Sequence, residues 1–149
     1  MTALMMASAP VVSGKPTDNL HYAMGGIMSG PIDLSLSLKS GEFSLNEAFL
    51  RPGGTQQRHG HGLLDAKQLS RLRKLASLAL RKGLEKGECR RRAANGDLSM
   101  SMPNMDAIPV MTVRLGVREE SAPGNEGCWT KAAEDLAGTA LDAARSASQ

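Results

Sequence analysis

His59 and His61 stand one residue apart, and two imidazoles at that spacing can both reach a divalent metal when the backbone is extended. His21 or Cys89 would have to complete such a site, since no Asp, Glu or Cys lies beside the pair at ligand spacing. The flanking Gly60 and Gly62 place the pair in a polar, glycine-rich stretch, residues 51–62, which reads as a solvated loop. Cys89 precedes Arg90, Arg91 and Arg92, cations that lower a thiol pKa and favour the nucleophilic thiolate. Neither cysteine has a histidine beside it in sequence, however, and no GxSxG is present. Glu119 and Glu120 are consecutive, so on a strand they face opposite sides and cannot act as an acid/base pair. Gly25-Gly26 and Gly53-Gly54 match neither a phosphate-binding loop nor a dinucleotide fingerprint. The expectation is a non-enzyme with no catalytic residue, no metal and no cofactor.

The distribution of charge is more informative. From Arg58 to Arg92 there are eleven Lys or Arg against three Asp or Glu, a surplus of eight positive charges. The rest of the chain carries seven against twelve, a deficit of five, so a net charge of +3 conceals one basic segment in an acidic remainder. Within it, Asp65 is placed to cap a helix, with Gln68 three residues on as in a capping box, and Leu64 and Leu69 spaced as a hydrophobic staple. At 100° per residue, Leu72, Leu75, Ala76 and Ala79 converge on one side, flanked by Leu69, Leu80 and Gly83. Lys67, Lys74 and Arg81 line the opposite side. One long basic amphipathic helix is expected between residues 65 and 92, ended or kinked at Gly83 and Gly87. Its cationic stripe comprises Lys67, Arg71, Lys74, Arg81 and Lys82, extended by Arg90, Arg91 and Arg92. That stripe suits an anionic partner, either an acidic protein or a nucleic-acid backbone. No aromatic lies between Phe49 and Trp129, so base stacking has no platform there and contact would be made to phosphates.

The elements that must carry this helix follow from periodicity. Ile32, Leu34, Leu36 and Leu38 alternate with Asp33, Ser35, Ser37 and Lys39, the pattern of a half-buried strand. Ser40-Gly41 is a turn signal, and Phe43 and Leu45 continue into a return strand. Leu98, Met100 and Met102 alternate with serines, and Met111, Val113, Leu115 and Val117 alternate with Thr112, Arg114 and Gly116, giving a second strand pair. Thr130 is an N-cap for a final helix over roughly 130–146, whose apolar stripe is Ala133, Leu136, Ala137, Ala140 and Ala144. Residues 1–31, rich in Pro and Gly, read as a loosely ordered arm, leaving 32–149 as one α+β domain with a small antiparallel sheet covered on one face.

Composition sets the remaining limits. Aromatics make up only 3% of the 149 residues, so the core must be built from Leu, Val, Met and Ala. No stretch approaches the ~20 apolar residues of a membrane span. The first ten residues lack the basic start of a secretory signal, which makes a soluble cytoplasmic protein the default expectation. Cys89 and Cys128 belong to no CxxC pair; one disulfide between them is open, but a disulfide scaffold is not indicated. A second reading is a structural subunit or homo-oligomer, associating through the N-terminal arm and open sheet edges.

Overall fold

The computed structural model describes residues 17–25, 31–94, 108–124 and 127–148. Six strands form one antiparallel sheet: β1 (Asn19–Met24), β2 (Ile32–Ser37), β3 (Glu42–Arg51), β4 (Gly54–Leu63), β5 (Val110–Leu115) and β6 (Arg118–Pro123). Their order across the sheet is β4-β3-β2-β1-β5-β6. Three helices complete the fold: α1 (Ala66–Lys82), α2 (Gly87–Ala94) and α3 (Lys131–Ala147). The class is α+β, as the alternation of strand and helix patterns requires.

Period-two alternation sorts each strand into two faces. Leu20 and Tyr22 of β1, Leu34 and Leu36 of β2, Phe43 and Leu45 of β3, and Met111 and Val113 of β5 are buried. They merge into one core with Leu72, Ala76, Ala79 and Leu80 of α1 and with the alanine stripe and Leu136 of α3. The two long helices pack together on this inner face. Alanines on α3 let them approach closely, at the expense of buried area per residue. The outer face of the same sheet has no element of the described chain upon it, and it is polar.

Helix α1 begins as its sequence dictates. The Asp65 carboxylate accepts the Gln68 N–H at 2.7 Å, and the Gln68 side-chain oxygen accepts the Asp65 N–H at 3.2 Å, a reciprocal capping box. At its other end the Leu80 carbonyl accepts from Arg118 at 2.7 Å. Arg73 leaves the cationic side and reaches the Leu38 carbonyl at 2.6 Å and Asp18 at 3.3 Å, tying α1 to the start of the sheet. Leu75 is only half-buried at the margin of the core, whereas Leu72 is fully enclosed.

Four elements differ from the sequence-based expectation. Residues 65–92 are two helices rather than one long one. Gly83, at φ +91°, takes the chain out of α1 so that Leu84 can bury completely. The Leu84 N–H donates to Glu120 at 3.0 Å, its carbonyl accepts from Thr130 N–H at 2.8 Å, and Glu85 bridges to Trp129. Residues 19–24 of the expected loose arm form a strand at the interior of the sheet, because Leu20 and Tyr22 fill the core between Leu34–Leu36 and Met111–Val113. The expected loop 51–62 is largely strand β4, paired with β3 along its whole length. The C-terminal strand pair forms between β5 and β6 through the Gly116-Val117 turn, with Gly116 at φ +63°. The expected strand at 98–102 lies outside the described residues, as do 1–16 and 26–30 of the arm.

Two further links fasten the layers. Cys89 of α2 and Cys128, just before α3, are joined by a disulfide, Cα to Cα 5.8 Å. Glu47 on the inner face of β3 is buried, and its carboxylate accepts from Arg145 of α3 through Nε at 3.1 Å and Nη2 at 2.7 Å. The carboxylate bonded to it raises the already high pKa of Arg145 further.

Candidate functional site

Helical geometry turns the basic residues of α1 into a single surface. Taking Lys67 as origin, 100° per residue places Arg71, Lys74, Arg81 and Lys82 within roughly 60° either side of it. At 1.5 Å per residue the five cations extend over about 22 Å of helix. All five are exposed. The buried residues Leu72, Ala76, Ala79 and Leu80 occupy the opposite arc, so burial of one face fixes the presentation of the other. No acidic residue occurs between Ala66 and Lys82, and none of the five cations has an ion-pair partner among the described residues. Arg73, the sixth cation of the helix, is the one taken up by Asp18.

The arginine cluster that was expected to prolong the stripe sits on a separate helix. Arg91 is exposed on α2, while the side chains of Arg90 and Arg92 lie outside the described residues. The four residues 83–86 intervene, so the helical register of α1 does not carry into α2. Beside the stripe, a shallow groove between α1 and α3 is lined by Gln68, Arg71, Thr139, Asp142, Ala143 and Ser146.

The outer face of the sheet is chemically different. The register aligns His61, Ser44, Ser35, His21, Thr112 and Ser121 across all six strands, a row made only of hydroxyls and imidazoles. A shallow concavity over Asn19, His21, Ser35, Ser37, Glu42 and Ser44 follows part of this row. His21 Nε2 lies 3.3 Å from Asp33 Oδ1, and Thr112 and Ser121 hydroxyls are 2.9 Å apart. The three histidines of the chain all lie on this face. That could not be read from their positions in sequence, because β1 and β4 each lacked a clear strand signal. Ser35 stands across from His21, so a serine, a histidine and an aspartate are neighbours here. They share a flat open surface, and no hydrogen bond between the serine and the imidazole is present among the described residues.

Cys89, considered as a reactive thiol, is instead half of the disulfide, and no free cysteine is present. Glu119 pairs with Arg114 at 3.1 Å on the outer face, while Glu120 turns to the Leu84 N–H, which separates the two carboxylates as their adjacency predicted. Among the described residues no helix is long and apolar enough to cross a membrane, and no group of three or more His, Cys, Asp or Glu is gathered as a metal cluster. Comparison with protein-family models, curated proteins and solved structures finds no match to this chain.

Proposed function

We propose that the chain is a non-enzymatic interaction protein whose contact surface for an anionic partner, an acidic protein or a nucleic-acid backbone, is the exposed side of α1. The observation that carries this reading is the row of five exposed cations without an ion-pair partner among the described residues, on a helix that has no acid. Cations spaced along ~22 Å of helix attract a polyanion through summed field and counterion release rather than through any single contact. Aromatic residues are absent from the stripe, which favours backbone phosphates or clustered carboxylates over bases.

Retention on heparin and on mixed-sequence duplex DNA across a salt series tests this, comparing wild type with the Lys67→Ala/Lys74→Ala/Arg81→Ala variant. Strong wild-type retention should fall steeply with salt, and loss of three phosphate contacts should flatten the DNA slope by about three. Retention that is weak, or unaffected by the triple substitution, would return the stripe to an ordinary solvated face.

A second reading, assembly through sheet edges, is favoured by one feature. Among the described residues strand β4 is an edge strand of ten residues, and the end of the β3–β4 hairpin continues beyond the pairing of β3 with β2. Unpaired edges of this length invite strand addition. Concentration-dependent mass that persists in high salt would support assembly over the charge-driven reading.

A further inference from the structure

We propose that His59 and His61 form a two-imidazole site for a late first-row divalent ion such as Zn2+ on the outer face of β4. As part of a loop the pair would have no fixed geometry; as part of a strand it does. Both side chains are exposed on the same side, separated along the strand by two residues or about 6.6 Å, within the span that two imidazoles can close around one ion.

Three arrangements prepare the pair. His59 Nδ1 is hydrogen-bonded to the side-chain oxygen of Asn46, its cross-strand partner on β3. An oxygen acceptor there holds the proton on Nδ1 and leaves the Nε2 lone pair free, the outer-shell pattern that orients metal-binding imidazoles. The backbone beneath is supported on its inner side. A side chain at Gly60 would collide with Ser148, and one at Gly62 would press on Ala147 and Phe43, so the end of α3 lies directly against the strand that carries the pair. Finally, competition is low. Alternation puts only Thr55, Gln57 and Leu63 with the histidines on this side of β4, and Arg58 is over the Phe49 ring, 5.4 Å from its centre. Both cysteines are oxidised, so no thiolate draws the metal away.

The remaining coordination positions face solvent and would be taken by water or by a partner's side chain. Two neutral imidazoles suit Zn2+, Ni2+ or Cu2+ better than Mg2+ or Ca2+.

The test is titration of the tag-free, oxidised full chain with Zn2+, followed through the histidine ring resonances. His59 and His61 should shift together and saturate at one ion per chain, while His21, three strands away beside Asp33, stays unchanged and serves as an internal control. His59→Ala and His61→Ala should each lower affinity at least tenfold. Asn46→Ala, which leaves both ligands in place, should lower it about tenfold, and Asn46→Asp, which keeps an oxygen acceptor, should restore it. If His21 responds at the same zinc concentration, or His61→Ala leaves affinity unchanged, the ion is adventitious and the site is refuted.

Discussion

Helices α1 and α2 come from one basic run, yet they are held to the protein by different means. Four residues of α1 are buried in the main core, its first turn is closed by a capping box, and Arg73 bonds it to the sheet. Helix α2 has eight residues, and Cys89 in its first turn is buried. Two described links hold its start: the N–H of Lys86, the residue before the helix, donates to the Cys128 carbonyl at 2.7 Å, and Cys89 is bonded to Cys128. A helix this short is marginal by itself in water. Two stretches of one basic run are therefore fastened in different ways. Cations on α1 are displayed by hydrophobic burial, whereas Arg91 stands on a helix tied by a crosslink to the segment before α3.

Leu72→Ala should produce the largest effect. It empties a fully enclosed position under α1 and should cost about 2–5 kcal/mol in chemical denaturation, with all probes shifting together. If only α1 loosens while the sheet keeps its midpoint, the helix is not the core element described here. Next comes the double substitution Cys89→Ser with Cys128→Ser. Releasing a crosslink of sequence separation 39 should lower stability by about 2–4 kcal/mol. Hydrogen exchange should quicken first across 87–94 and leave 66–82 protected; equal loss in both helices would erase the contrast between them.

The smallest effect concerns Asp18. The Gly116 N–H, 2.8 Å from its carboxylate, and secondarily Arg73 hold its pKa below the usual 3.8, against an opposing desolvation. Since the folded form binds this proton less tightly than the unfolded one, the stabilisation is complete above the ordinary carboxylate value. It disappears as pH falls through the lower folded value. The stability gap between wild type and Asp18→Asn should thus be constant at neutral pH and shrink under acid. A gap that widens below pH 4 would show that Asp18 is not the group responsible.

How much of this was legible in sequence depended on whether a residue's own neighbours carried the signal. Strands β2 and β5 alternate cleanly, and α1 announces its start with Asp65 and Gln68, so these were recoverable. Strand β1 was hidden because its apolar residues, Leu20 and Tyr22, make sense only once β2 and β5 flank them. Strand β4 was hidden for the opposite reason. Gly60 and Gly62 occupy its inner positions because α3 ends there, which removes the apolar alternation and imitates a loop. The stripe on α1 was predictable from helical period, but its separation from Arg90–Arg92 was not, because Leu84 leaves the helix to meet partners at Glu120 and Thr130.

The strand order has a consequence for how the chain is made. Strands β1 to β4 are sequential neighbours and can pair once the chain as far as residue 63 is free to fold, without waiting for β5. Strand β5 must then join β1, with Val113 opposite Leu20 across more than ninety positions of chain. Closing so long a loop is slow compared with forming a hairpin. Until it closes, β1 is an open edge bearing Leu20 and Tyr22, the kind of surface on which nascent chains meet and aggregate. Cys128 follows β6, so the disulfide can form only after the last hairpin has been synthesised. Oxidation therefore comes after both hairpins exist, and it joins α2 to the segment leading into α3.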